Sequence, residues 1–339
     1  MSRALRGLDG VSPPTRERVH QAAAELDYLA SPTAISLASG RSRTIGVAAP
    51  LLTRWLFAAL VSSIERAVRG LGYHPLLLDL DGSPGERLQL SRDLLWKRVD
   101  GLVALHVPLG ERELDLLRRL DLPVVTIGTA VRGWPRVGID PAAAAGAAAG
   151  HLLRLGHTDI ASVTARCAPG AAPDRFLAAL REHGVVTSPA RVLTCDTDPS
   201  AAVRAVRSTL AGRRPPTAVI AGSDELAVGV LAAARRRGLR VPEDLSVVGA
   251  DDHPFAEALG LTTIRQDTEG QGRVAAAMLV GRIAGTRDGG WDGGRGRAEQ
   301  DVVVPTQLVV RGSTAPARRR TAAGQGPRPD PPQTRRDVS

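Results

Sequence analysis

Apolar positions along this chain change their spacing repeatedly, and each change predicts an element. Over 12–27, Val19, Ala22, Ala23 and Leu26 fall at i, i+3, i+4 and i+7, one face of a helix. Ser12 is a candidate cap and Pro13 suits the first helical position. That stripe cannot bury itself alone and needs partners. A small-residue segment follows over 29–40, with a second start signal at Ser31-Pro32 and one or two predicted turns over 33–37. Those turns are too short to be stable in isolation. Gly40, Arg41 and Ser42 then break to a linker.

Beyond residue 44 short apolar runs alternate with helical periods. The runs predict strands over 45–50, 75–79, 101–105, 124–127, 160–164, 192–194, 218–221, 245–249, 262–265, 302–304 and 308–310. Helices are predicted over 55–71, 86–97, 111–120, 142–155, 175–183, 200–210, 225–237 and 269–284. Alternation of this kind predicts parallel, doubly wound α/β sheets. The strand number suits two such sheets better than one. Near-continuous apolar strands fit sheets covered on both faces. A Gly-rich stretch over 286–297 reads as a flexible loop, and 313–339, rich in Pro, Arg and Gly, reads as a disordered tail.

Composition changes this picture in two places. Aromatic residues are only 3% of the chain, so Ala, Val and Leu must do most of the packing. The net charge of +9 is uneven: 313–339 carries +4 and 1–45 carries +2, which leaves a weak +3 for the rest. The basic balance alone is therefore poor grounds for a nucleic-acid partner. Cys167 and Cys195, the two cysteines, form neither a disulfide framework nor a metal-ligand spacing. The opening residues are charged and lack the apolar run of a secretory leader, and no apolar run approaches a membrane span. The expectation is a cytoplasmic protein with no membrane partner, no metal and no cofactor. No GxxxxGK[ST], GxSxG or HExxH motif is present, and His106, His151, His157 and Asp140 fall on positions the fold pattern explains, so no enzyme is expected.

A series of motifs in fixed order carries a more specific reading. They are TRERV at 15–19, AAAELDY at 22–28, RTIGV at 43–47, RVDGLV at 98–103, GID at 138–140 and HLLRLGHTDIA at 151–161. SDELAVGVL at 223–231, VPEDLSVVGADD at 241–252 and LTTIRQ at 261–266 complete the set. Together they resemble the LacI family of bacterial transcriptional regulators over about residues 1–312. The resemblance implies a helix-turn-helix headpiece over 1–29 and a hinge helix with linker over 30–43. A two-lobed effector-binding and dimerisation domain like a periplasmic binding protein follows over 44–312, then the tail. The match enters the headpiece late, inside the recognition helix, about twenty residues in by family comparison, so a partial headpiece is expected.

Function follows from the same resemblance: a homodimeric DNA-binding regulator, most simply a repressor, with an approximately palindromic operator and a small-molecule effector such as a sugar in the interlobe cleft. Arg3 aligns with a base-contacting position and Ser2 with a phosphate-contacting one, although both could equally be idle on a frayed terminus. Leu37 matches the hinge leucine that wedges into the minor groove, and Ser31 begins the hinge helix. The family's polar residue is replaced there by Ile35. In the cleft, Trp55 and Phe57 could stack on a sugar or base, or simply pack at the start of a helix. Ala172 stands where the family has an effector-gripping arginine, and Arg175 is the candidate substitute. Ser223 replaces an asparagine of an Asn-Asp pair, with Asp224 expected to cap the following helix. Asp251 matches the acid that bonds effector hydroxyls or amines. The competing reading is a small-molecule-binding module that has lost DNA binding.

Overall fold

The computed structural model describes residues 10–26, 41–50, 52–79, 98–107, 110–165, 178, 181–183, 189–285 and 301–318. The first described element is α1 (Pro13–Glu25). Ser12 sits at its N-cap, but its hydroxyl bonds Thr15 Oγ1 at 2.8 Å rather than a backbone N–H. Predicted helix 86–97 and most of 175–183 lie outside the described residues.

The remaining elements form two sheets of six strands each. The first lobe holds β1 (Thr44–Ala49), α2 (Trp55–Gly70), β2 (His74–Asp79), β3 (Gly101–Leu105), α3 (Glu111–Arg119), β4 (Val124–Ile127) and β5 (Arg136–Gly138). The second holds α4 (Pro141–Arg154), β6 (Ile160–Ala165), β7 (Val192–Cys195), α5 (Pro199–Ala211), β8 (Ala218–Ala221), α6 (Asp224–Arg236), β9 (Ser246–Asp251), α7 (Pro254–Ala258) and β10 (Thr262–Gln266). The chain then returns to the first lobe for α8 (Thr268–Gly285) and β11 (Asp301–Val303), and crosses back for β12 (Thr306–Val309). It therefore changes lobe three times, and Val304 N–H bonds Gly138 O at 2.8 Å, tying the first crossing to the third.

Both sheets have one topology. The first runs β11-β5-β4-β3-β1-β2 and the second β12-β10-β9-β8-β6-β7. In each, the five leading strands have the doubly wound order 2-1-3-4-5, with a switch point beside the leading strand. Every pairing is parallel except β10 with β12, a departure from the all-parallel expectation. β3 and β4 are buried along their whole length, which accounts for their unbroken apolar runs.

Each sheet has a core on either face. In the first lobe α2 and α8 cover one face, packing Leu60, Ile64, Val68, Ala275, Ala276 and Leu279 on Val47, Val103 and Val125. In the second, α5 and α6 pack on one face and α4 on the other. α4 presents Ala144, Ala145, Ala148, Ala149 and Leu152, whose small side chains let it lie close to the strands. Asp140 caps it, accepting from Ala142 N–H at 2.8 Å.

The reading of 313–339 as tail is corrected at its start. Ser313 is only 3% exposed. Its hydroxyl accepts from Thr262 N–H at 2.8 Å and donates to Val247 O at 2.6 Å. Thr314 bonds His151 Nε2 and the Ala315 carbonyl bonds His157 Nε2, both at 2.9 Å. Composition suggested a solvated segment, but the backbone of 313–317 is stitched to the second lobe. Among the described residues no helix is long and apolar enough to cross a membrane.

Candidate effector cleft

Side chains that follow the carboxyl ends of the strands face one another between the lobes. This is where open parallel sheets bind ligands. From the first lobe come Arg54 and Trp55 after β1 and His106 after β3, on either side of that sheet's switch point. From the second come Ser223, Asp224 and Glu225 after β8, Asp251 to His253 at the end of β9, and Gln266 at the end of β10.

The lobes touch through named groups. Arg54 Nε donates to Glu225 Oε2 at 2.9 Å, and Trp55 N–H donates to Glu225 Oε1 at 3.3 Å. Trp55 is the first residue of α2, and its N-cap, Arg54, makes no side-chain cap bond. Glu225 therefore satisfies, from the other lobe, one of the free N–H groups that every helix start leaves. The Trp55 ring lies 4.9 Å from that of His253, which in turn stacks on Phe255 at 3.6 Å.

On the first-lobe side, Phe57 meets His106 edge to face at 5.6 Å, and the Arg54 guanidinium lies 5.7 Å from the Phe57 ring centroid. His106 has φ 46°, and Gly128 (φ 83°) leaves its ring the space that a side chain would fill. Burial, with the charge of Arg54, lowers its pKa to about 4.

On the second-lobe side Asp224 is nearly inaccessible. Its carboxylate accepts from Thr263 Oγ1 at 2.6 Å and from His253 N–H at 2.7 Å. Burial still raises its pKa to about 6, against the pull of those two bonds. Asp251 stands at φ 104°, a conformation an L-residue rarely adopts. Gln266 Nε2 donates to its Oδ1 at 2.7 Å. Burial, reinforced by the charge of Asp224, holds its pKa well above the ordinary carboxylate value, while Arg54 acts in the opposite sense. Asp252 faces away, held by Arg265 at 2.6 Å and Arg311 at 2.8 Å.

The structure thus brings Trp55, Phe57 and Asp251 to one cleft. Trp55 meets His253 at a tilt across it, whereas Phe57 is buried against His106, the packing alternative of the two readings. Ser223 is a correction: 2% exposed, its hydroxyl accepts from Leu226 N–H at 3.2 Å, so it caps α6. Asp224, expected to cap, is the first helical residue and instead anchors β10 and the His253 turn. Ser2, Arg3, Ser31, Leu37 and Arg175 lie outside the described residues. The sequence reading missed Arg54, His106, Glu225 and His253. A signal existed for Arg54, a charge immediately before the helix that opens at Trp55. For His106 none did. Among the described residues no three metal-ligating side chains gather.

Comparison with known proteins agrees with this geometry. Residues 149–314 match the family described as a periplasmic binding protein-like domain. The chain is similar to the HTH-type transcriptional repressor PurR of Erwinia tasmaniensis, 32% identical over 314 residues that cover 90% of this chain and 89% of the relative. Among solved structures it is similar to the transcriptional regulator CelR in complex with cellobiose (TM-score 0.71, 28% identity, 92% of this chain and 94% of that one). It is also similar to the lac repressor dimer bound to operator and the anti-inducer ONPF (TM-score 0.79, 25% identity, 93% and 94%). A LacI transcriptional regulator from a Rhodococcus species matches as well (TM-score 0.68, 30% identity, 81% and 99%).

Proposed function

This chain belongs to the LacI family of transcriptional regulators, and from that premise we propose a homodimeric repressor whose operator affinity is set by a small molecule held between the lobes. One observation carries the reading. Two sheets of identical strand order bring the groups at their switch points, Arg54 with Trp55 and Glu225, into contact across a cleft. A ligand gripped from both sides there changes the angle between the lobes. The change reaches the headpiece through the linker, where Ser42 N–H and Oγ and Arg43 N–H bond the Asp100 carboxylate at 2.8–3.0 Å.

In this reading 1–29 is headpiece, 30–43 hinge helix and linker, and 44–318 the two-lobed body. Ser2 and Arg3 contact DNA from the recognition helix, Ser31 starts the hinge helix, and Leu37 wedges into the minor groove at the operator centre. Trp55, Phe57, Asp251 and Arg175 contact the effector. The protein acts in the cytoplasm, and no catalytic step is assigned to it. Two-fold symmetry of the dimer is mirrored in an approximately palindromic site.

Selection of binding sites from random duplexes by the full chain, followed by gel shift, tests the proposal. The expected result is one palindromic sequence, bound with an affinity that falls steeply as salt rises. Recovery of random sequence at low ionic strength would overturn it.

A further inference from the structure

Arg54 is the one arginine whose bonds and ring contacts, among the described residues, lie in this cleft beside His106 and His253. Its surroundings are acidic and aromatic: Glu225 on its Nε and the Phe57 face beside its guanidinium, with the Asp251 carboxyl on the facing end of β9. Its side chain is 17% exposed and that of Glu225 is 20%, so the pair is largely withdrawn from solvent. Asp251, only 7% exposed, uses Oδ1 to accept from Gln266 and has its other oxygen to offer a ligand. The second lobe thus turns carboxyl groups towards a point where the first lobe supplies one positive charge over an aromatic face. Glu225, largely withdrawn from solvent, is costly to leave without a cation, so that charge favours closing these lobes. Ring faces add to the preference for a cation.

We infer that the cleft closes on a positive charge, for which Arg54 is a tethered occupant, and that its effector is a guanidinium- or ammonium-bearing small molecule that takes the place of Arg54 between Phe57, Glu225 and Asp251. This rests on the effector-cleft reading above and gives that effector its chemical class. A neutral sugar offers hydroxyls to Asp251 but nothing to balance Glu225 once Arg54 is displaced. An anion meets like charge.

Arg54→Ala and Arg54→Met in the full chain test this, with lobe closure read by solution scattering and by hydrogen exchange at Glu225, Leu226 and Phe255. Both variants are expected to open, raising the radius of gyration and speeding exchange by about ten-fold at those amides. Millimolar methylguanidinium should restore closure to the alanine variant. Urea, planar and of similar size but uncharged, should not. The methionine variant keeps the apolar stem against Phe57 and serves if the alanine variant fails to fold, judged by circular dichroism. The inference falls if both variants stay closed, or if urea restores closure as well as methylguanidinium does. Operator binding is scored separately. A variant that binds operator and responds only to neutral sugars sinks this inference and leaves the regulator standing. A chain that selects no operator sinks the regulator, while the methylguanidinium and urea arms still decide the clamp.

Discussion

At the residue scale, the cleft is held by groups placed where an ordinary residue would fail. Gly128 has φ 83°, and a Cβ added there would collide with the His106 ring. Gly128→Ala is therefore expected to lose about 2–4 kcal/mol in urea unfolding, from overpacking and from the unfavourable φ. Adding His106→Ala should recover the collision share and leave about 1 kcal/mol of backbone cost. Equal losses with and without the histidine would show that the ring is not the obstacle. Asp224 makes a pH prediction. Its pKa rises from 3.8 to about 6 on folding, mainly through burial. The protonated form is thus favoured in the folded chain, a contribution fully present below the unfolded pKa and lost as pH climbs through the folded one. His106 works in the opposite direction, since its lowered pKa of about 4 costs stability as pH falls below 6.5. A single curve mixes the two, so the comparison is between the parent and Asp224→Asn. Between roughly pH 7 and pH 5 the stability difference should move in favour of the parent by about 1 kcal/mol. A difference flat with pH would contradict the assignment.

At the element scale, the terminal segment shows what composition conceals. Ser313 bridges β9 and β10 from outside both strands, accepting from Thr262 N–H and donating to Val247 O. Ser313→Ala strands a buried N–H and a buried carbonyl, and about 2–3 kcal/mol should be lost, visible as a lower melting temperature. A loss within a few tenths of a kcal/mol would mean that the neighbouring Thr314 and Ala315 contacts hold the segment alone. Most other elements were legible, because period is a local property. β3 and β4 match their predicted limits, and α2, α4, α5, α6 and α8 fall within a residue of theirs. The missed strand and α-helix are short. β5 has three residues after a proline, and α7 has five, too few for any period to register. The antiparallel return of β12 is set by the third lobe crossing, which no local pattern encodes. The cleft divides along the same line. Asp251 was readable from the motif that contains it, and Trp55 and Phe57 from their place at the start of the helix after the first strand. Arg54 with Glu225 is a pair 171 residues apart in sequence. His106 gains its role from the space at Gly128 and the edge of Phe57, neither of which its own neighbours announce.

At the scale of the whole molecule, charge distribution separates general attraction to DNA from recognition. The chain carries +9, yet residues 319–339 alone hold five Arg and two Asp, or +3. A sensor body with little net charge offers a duplex weak attraction, so the terminal arginines supply a disproportionate share of any sequence-independent term. Each phosphate neutralised contributes about 0.9 to the slope of log affinity against log salt. A chain ending at residue 318 should therefore bind random duplex with a slope shallower by up to about 3–4. Its ratio of operator to random affinity should hold or rise if base readout resides, as proposed, in the headpiece and hinge. The paired measurement separates the alternatives. A fall in operator affinity matched by the random duplex marks the arginines as a non-specific anchor. A fall confined to the operator would place them in the recognition surface, and the division between a headpiece that reads and a tail that only attracts would have to be given up.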